Sequence, residues 1–293
     1  MSIVKKLTQQ QLIRPPSFVE NGTQYEVYMG SVAYGVSTDM SDIDLYGFCI
    51  PPKNVIFPHL NGHIIGYDRN INNFDQYQQH HIQTTDKKEY DITVFNIVKY
   101  FRLCADNNPN MIDSLFVPNR CISYMTPVGQ LVRENRKLFL HKGAFYKYKG
   151  YAYSQLHKCR IKKPEGKRKE LIEKYGYDVK FAYHVKRLAL QVEQILVEGD
   201  LDLERNREEL KAIRKGEVKL SDIEVWFTRK ELQLEEQYNK SQLPHSPDTE
   251  KIKQLLINCL EQYYGKLSNI EYSQPGKLDS LIRDLTFLIN QYK

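Results

Sequence analysis

Residues 30–45 read GSVAYGVSTDMSDIDL, and this stretch decides the fold expected for the chain. An apolar and aromatic run over 25–29 precedes it and predicts a first strand. Ser31 to Val36 can form one or two helical turns, and the alternation over 42–50 predicts a second strand. The stretch therefore predicts two strands joined by a Gly-Ser turn and a short polar connection.

Asp42 and Asp44 are the chemically informative residues of the second strand. Side chains at i and i+2 of a strand point to the same face, so we expect the two carboxylates to converge, with Ile43 and Leu45 facing a core. Carboxylates this close repel each other unless a cation binds between them, and oxygen ligands suit Mg²⁺ or Mn²⁺. A solvated strand face or a turn is the alternative for this common pattern.

Gly30 and Ser31 supply a second signal just upstream. A Gly-Ser turn from a strand into a helix offers unpaired backbone N–H groups and a hydroxyl, which together can bind a phosphate. For Ser31, a simple turn cap is the alternative. A phosphate site followed closely by a metal-binding acid pair predicts chemistry on a nucleoside triphosphate.

Composition limits the classes of protein to consider. With 293 residues, of which 41% are hydrophobic, the chain is expected to be soluble and to form two domains. We expect no membrane span and no signal peptide, because long apolar runs are missing from the sequence and from its first residues. The five cysteines are scattered without a C-x-x-C pair, which argues against a disulfide framework or a zinc site and favours a reducing cytoplasm.

The expected fold class is α+β, with a small mixed β-sheet domain carrying helices over 1–125 and a mostly α-helical domain over 126–293. Gly and Pro become sparse from about residue 125, which is the reason for this boundary. We expect the helical domain to close over the cleft of the first. Its helices are predicted near 127–139, 143–160, 177–198, 203–214, 221–239, 248–264 and 276–292.

The middle of the first domain is harder to assign from its pattern. A loop-rich insertion is predicted over 53–80, followed by a strand from His81 to Thr85. Tyr90 to Thr93 either ends a strand or opens the next helix, whose apolar stripe runs from Val94 to Cys104. Met111 to Phe116 is a short, largely apolar segment.

The motif G-S-x-A-Y-G followed by S-D-x-D-x-Y-G, in residues 30–47, resembles the signature of the DNA polymerase β-like nucleotidyltransferase superfamily. It is similar in particular to the RNA-repair-associated branch of predicted nucleotidyltransferases from bacteria and tailed phages. Further similarities run to about residue 195 and comprise Tyr90-Asp91, Asn107-x-Pro109-Asn110 and Lys180-x-x-x-His184-x-x-x-Leu188.

The resemblance implies a two-metal nucleotidyltransferase. Two Mg²⁺ (or Mn²⁺) ions would bind Asp42, Asp44, a third carboxylate and the NTP; a nucleoside monophosphate would pass to a hydroxyl and pyrophosphate would leave. Asp91 matches the third carboxylate by position, with Glu89 as its nearest rival. A helix N-cap is the alternative role for Asp91.

The resemblance also implies a set of nucleotide-binding residues. Besides Ser31, three of them have open alternatives. Tyr34 is as well explained by packing. Lys180 and His184 share a polar helical stripe with Arg187 and Gln191 that composition alone assigns to a solvated face. The complete set is Gly30, Ser31, Tyr34, Ser41, Lys180 and His184.

A basic segment, 158–169, is the candidate contact to RNA, which is the acceptor that the resemblance favours, as a tRNA or a damaged RNA end. It is predicted as a loop around Pro164 and Gly166, and a solvated linker is its alternative reading. Small-molecule or protein acceptors, and a non-catalytic nucleotide- or RNA-binding module, are the competing functions. The candidate RNA-binding residues are Lys158, Arg160, Lys162, Lys163, Lys167 and Arg168.

Overall fold

The computed structural model describes residues 1–37, 42–64, 74–161 and 167–267, and these contain a five-stranded mixed sheet. The strands are β1 (Thr23–Tyr28), β2 (Ile43–Cys49), β3 (Gln76–Gln83), β4 (Glu89–Asn96) and β5 (Ile122–Met125). Their spatial order is β3-β4-β2-β1-β5. A mixed sheet combined with many helices confirms the α+β class.

The central pair of strands, β2 and β4, is parallel, and the other neighbouring pairs are antiparallel. After β2 the chain crosses to the edge of the sheet and forms β3 there. It then reverses through a turn, in which the Thr84 N–H donates to the Lys88 carbonyl over 2.9 Å, and returns as β4. Because β2 and β4 are parallel, this route places their first residues at the same end of the strands, next to each other.

Helices make up most of the remaining described chain. Short 3-10 turns at Pro58–Asn61, Asn119–Cys121 and Arg136–Phe139 connect some of them. The helices are α1 (Ile3–Gln9), α2 (Ser17–Gly22), α3 (Gly30–Ala33), α4 (Lys53–Ile56), α5 (Ile97–Ala105), α6 (Pro109–Phe116), α7 (Pro127–Glu134), α8 (Ala144–Ile161), α9 (Lys167–Tyr175), α10 (Val179–Glu198), α11 (Arg207–Arg214), α12 (Leu220–Lys240) and α13 (Thr249–Tyr264).

The two faces of the sheet pack into separate apolar cores. The smaller core joins α1 and α2 to the sheet through Val4, Leu7 and Val19, which pack with Leu45 and Ile92. Leu45 therefore faces a core, as its position next to Asp44 predicts. The opposite sheet face packs against the helices that follow.

The larger core is continuous from Tyr25 in β1 to Leu260 in α13. Its buried residues come from both sides of the boundary predicted at 125, so the sheet and the later helices share one apolar interior. The division into 1–125 and 126–293 remains a prediction.

Several elements differ from those predicted. The residues Val94–Asn96 belong to β4 rather than to a helix, because Val94 and Phe95 are buried on opposite faces of the sheet. The helix begins at Ile97, and Asn96 caps it by accepting the Val98 N–H over 3.0 Å. Met111–Phe116 is part of α6, and β5 lies within the segment taken as a domain boundary.

The basic segment is not simply a loop. Its first residues end α8 at Ile161 and its last begin α9 at Lys167. The predicted helix over 276–292 lies outside the described residues. Among the helices that are described, none is both long and apolar enough to cross a membrane.

Candidate active site

Asp44 and Asp91 lie side by side near the starts of the parallel strands β2 and β4, where they are register partners. Both are half-buried, and both face the larger core because Leu45 and Ile92 face the smaller one. Asp42, which is exposed, directly precedes β2. The structure thus brings the three predicted acids to one edge of the sheet.

The electrostatic environment of Asp44 shows how close these charges are. Burial, together with the negative charges of Asp91 and Asp42, raises the pKa of Asp44 to about 6, although His80 and Lys180 act in the opposite direction. Burial and two like charges make the ionised form of Asp44 costly, and a bound cation would relieve this cost. Three carboxylates form an all-oxygen donor set that fits Mg²⁺ or Mn²⁺.

Gly30 lies directly beside the carboxylate of Asp44. Its φ is +59°, and a Cβ at this position would overlap Oδ2 of Asp44 and lie 3.1 Å from Cγ. The Met29 N–H donates to the Asp44 carbonyl over 2.8 Å, which fixes the turn against β2. The glycine of the Gly-Ser motif is therefore required both by the backbone conformation and by the acid.

The helical turn after Gly30 is short, because α3 has four residues and ends at Ala33. The single turn agrees with the expectation for this segment but gives little helix dipole to an anion. Phosphate binding by Gly30 and Ser31 therefore remains a prediction that depends on the motif. Ser41 lies outside the described residues.

Tyr34 belongs to a buried polar network that joins the turn to α6 and α10. Its hydroxyl donates to Asp113 Oδ2 over 2.6 Å and accepts from Arg187, whose guanidinium also stacks on the Tyr34 ring at 4.3 Å. Arg187 donates to Asp113 Oδ2 over 2.5 Å, and the Gln191 amide donates to Asp113 Oδ1 over 3.0 Å. Packing, the alternative considered for Tyr34, is what the structure favours.

Two further arginines bind the backbone of the same turn. Arg120, just before β5, donates to the Val32 carbonyl over 3.0 Å and forms an ion pair with Glu204 at 2.6 Å. Arg214, at the end of α11, donates to the Val36 carbonyl over 3.0 Å. The turn over residues 32–36 is therefore held by groups that follow it in the chain by many residues.

Helix α10 presents its predicted polar stripe to two different environments. Lys180 is exposed at its start, and its charge lowers the pKa of Asp44, so it lies on the side of the acids. His184 is half-buried one turn later. A solvated face is wrong for Arg187 and Gln191, each 3% exposed, because Asp113 binds them inside the protein.

Histidines on the edge strand β3 form a part of the site that the sequence reading missed. The register of β3 against β4 shifts at His80 and His81, and His81 has a φ of +56°. The His81 N–H donates to Asp91 Oδ1 over 2.8 Å, and His80 Nδ1 lies 3.3 Å from Asp91 Oδ2. The adjacent pair of histidines was the available signal.

Glu89, the rival third carboxylate, contacts this edge strand. Its carboxylate contacts the His81 ring, with 2.5 Å between His81 Nδ1 and Glu89 Oε1, and accepts a bond from the Gln83 amide over 2.8 Å. Asp91, by contrast, is the register partner of Asp44. The geometry therefore favours Asp91 over Glu89 as the partner of the acid pair.

The candidate RNA-binding residues are only partly described. Lys158 is exposed near the end of α8. Arg160 belongs to α8, and Lys167 and Arg168 belong to α9, whereas Lys162 and Lys163 lie outside the described residues.

Comparison with known proteins gives a family match over most of the chain. The model of a family described as the RNA repair pathway DNA polymerase beta family matches residues 5–258. This range includes the three acids, the turn beside them and α10.

Two individual proteins also align with this chain at low sequence identity. An uncharacterized 38.9 kDa protein of Enterobacteria phage T4, from the nrdC-mobD intergenic region, is 27% identical over 143 residues, which are 48% of this chain and 39% of that protein. The match therefore spans well under half of the phage protein. The crystal structure of a nucleotidyltransferase-like protein from Exiguobacterium sibiricum aligns with a TM-score of 0.30 and 10% identity, over 99% of this chain and 89% of that one.

Proposed function

Because this chain belongs to the RNA repair pathway DNA polymerase beta family, we propose that it transfers a nucleoside monophosphate from an NTP to a hydroxyl group of RNA. The observation that carries the proposal is the pairing of Asp44 with Asp91 in adjacent parallel strands, with Gly30 packed against Asp44. Asp42 completes the set of acids that would hold Mg²⁺.

The proposed reaction is a displacement at the α-phosphorus. The acceptor hydroxyl oxygen forms a bond to this phosphorus, the bond to the oxygen of the β-phosphate breaks, pyrophosphate leaves, and the hydroxyl proton passes to solvent. When bound, Mg²⁺ supplies neutralisation of the triphosphate charge and lowers the pKa of the acceptor hydroxyl.

The chain's own residues would orient the substrates. The three carboxylates would hold the ions, and Gly30 would allow the backbone of the turn to approach the triphosphate closely. Lys180 would neutralise part of the negative charge on the triphosphate, which is consistent with its effect on the pKa of Asp44. His184, on the next turn of α10, is the second candidate contact to the nucleotide.

RNA is the proposed acceptor for two reasons. The family description names RNA repair, and seven of the residues in 158–169 are Lys or Arg. This basic segment begins at the end of α8, where the Cys159 thiol contacts the Asp178 carbonyl at 3.7 Å and so lies next to the start of α10. RNA phosphates bound there would be close to Lys180.

The test is transfer of label from α-³²P-NTP, each of the four supplied in turn with Mg²⁺ or Mn²⁺, to RNA, protein or small-molecule acceptors. We expect label to enter RNA in the wild type and the rate to fall at least about 10³-fold in Asp44→Asn, since a metal-binding carboxylate is lost. Asp86→Asn, on the exposed β3–β4 turn, is the matched control and should keep full activity.

Two results would contradict parts of the proposal. If the label entered only protein or only small molecules, RNA would not be the acceptor. Label that enters no acceptor, or that enters RNA equally well in Asp44→Asn, would refute nucleotidyl transfer at these acids.

A further inference from the structure

A second set of potential metal ligands lies next to the acids, on the edge-strand side of Asp91. The His81 imidazole, the Glu89 carboxylate and the Asp91 carboxylate each offer a ligand atom, and these three atoms lie within 4.8 Å of one another. Asp91 is shared with the first set of acids and lies between His81 and Asp44, because β4 lies between β3 and β2.

The backbone of β3 is shaped to bring this set together. The bulge gives His81 a φ of +56°, a conformation that histidine adopts more readily than most residues. Asp91 holds the bulge through the 2.8 Å bond from the His81 N–H, and Glu89 contacts the His81 ring. A regular strand would place consecutive residues on opposite faces, whereas here His80 and His81 both reach the acids.

The chemistry of this set differs from that of Asp42 and Asp44. One imidazole nitrogen with two carboxylates, and a second imidazole 3.3 Å from Asp91, is a mixed nitrogen and oxygen donor set. Such sets bind Zn²⁺ and related first-row ions more tightly than Mg²⁺, which prefers oxygen alone. The exposed side of His81 leaves room for water to complete the coordination.

We propose that His81, Glu89 and Asp91 bind a first-row transition metal ion, with Zn²⁺ as the best fit, at a position separate from Asp42 and Asp44. An ion at this position would replace the hydrogen bond between His81 and Glu89, because both groups would coordinate it at about 2.0–2.2 Å. Binding does not require nucleotidyl transfer, although the shared Asp91 makes the charge at the acids depend on occupancy.

The experiment is a titration of the metal-free full chain with Zn²⁺ and, separately, with Mg²⁺, without nucleotide, against a chromophoric chelator. His81→Asn is the main variant, because asparagine also tolerates the left-handed backbone conformation. We expect its affinity for Zn²⁺ to fall at least about 10²-fold, with a similar loss in Glu89→Gln. The matched control, His59→Asn, changes another exposed histidine and should bind Zn²⁺ as the wild type does.

Asp42→Asn separates this proposal from the proposed function. It should lose nucleotidyl transfer and keep the affinity for Zn²⁺, so the two ideas fail independently. Co²⁺ gives a second readout, since its visible absorption reports the ligands directly and should change in His81→Asn. An unchanged Zn²⁺ affinity in His81→Asn, or an equal loss in Asp42→Asn, would overturn the proposal.

Discussion

Gly30 lacks a side chain, and both its left-handed backbone conformation and the neighbouring Asp44 carboxylate require this. We expect Gly30→Ala to destabilise the fold by more than the roughly 1–2 kcal/mol that a left-handed conformation costs alanine, because the new methyl group must also displace the Asp44 carboxylate. Transfer activity should fall with it. Urea unfolding and the labelling assay measure the two effects.

Gly62→Ala is the matched control for this substitution. Gly62 has a φ of +78°, and no atom of the described residues lies within 4 Å of its would-be Cβ, so the backbone cost applies there without the collision. Equal losses of stability in both variants, with activity retained in Gly30→Ala, would show that Asp44 does not depend on the space at Gly30.

The residues of the site differ in how well sequence reveals them. Asp44 could be predicted because strand alternation and the Gly-Ser turn both point to it. The contribution of His81 could not, since a bulge breaks the alternation on which such reasoning depends. Arg187 was assigned to a solvated face because its partner, Asp113, is 74 residues away in the chain and its helix carries no local sign of that partner.

At the level of elements, the ion pair between Arg187 and Asp113 joins α10 to α6. Both side chains are almost completely buried, at 3% and 0% exposure. We expect Arg187→Met to lower the free energy of unfolding by about 3–5 kcal/mol, because Asp113 would remain as an unpaired buried charge. Urea unfolding measures the loss, and adding Asp113→Leu should recover part of it.

The control pair for this prediction is Arg205 with Glu198 at the other end of α10. Both of these side chains are exposed, so Arg205→Met should cost less than about 1 kcal/mol. If Arg187→Met cost no more than Arg205→Met, the buried network would not join the two helices.

Glu26 connects β1 to the first helix and makes stability depend on pH. It is fully buried and accepts the backbone N–H groups of Ile3 and Val4 at the start of α1. Burial raises the pKa of Glu26 to about 7, and these hydrogen bonds offset only part of the shift. The folded state therefore holds the proton more tightly than the unfolded state does.

The sign of this linkage gives a testable window. The contribution of Glu26 is fully present below about pH 4.5 and is lost as the pH rises to about 7, a change of roughly 3 kcal/mol. Glu26→Gln removes the titration. The free energy of unfolding of this variant, relative to that of the wild type, should therefore rise as the pH increases across this window. Parallel curves of unfolding free energy against pH for the two proteins would contradict the assignment.

Elements with a clear hydrophobic periodicity could be predicted from the sequence. Elements that form only by pairing with residues far away in the chain could not. The alternation of β2 and the long apolar stripe of α10 are local signals. The four-residue strand β5 exists because it pairs with β1, about 100 residues earlier in the chain, as the Thr126–Gln24 contact across 102 residues illustrates. The end of β4 resembled a helix because strand residues buried on both faces leave no alternation.

For the whole molecule, the continuous larger core predicts that the sheet and the later helices unfold together. Trp226 in α12 reports the helices, and the thiol of Cys49 in β2, which is fully buried, reports the sheet. We expect Trp226 fluorescence and Cys49 labelling, read by peptide mass spectrometry, to have the same urea midpoint.

Cys259 in α13 provides the internal control, because it is also fully buried and belongs to the helices. Its labelling should follow Trp226. If Cys259 and Trp226 shared one midpoint and Cys49 had another, the sheet and the helices would be independent domains, as the boundary at 125 predicts.

The arginines that hold the turn after Gly30 also fix when, during synthesis, the site can form. Arg120, Arg187 and Arg214 follow their partners in the turn by 88, 153 and 178 residues. A nascent chain that has just exposed Asp91 carries all three acids, yet at about 5–20 residues per second it waits roughly 6–25 s for Arg214 to be added. A ribosome-bound fragment is therefore expected to carry the acids without a finished turn, and the ability to act on nucleotides arises late in translation.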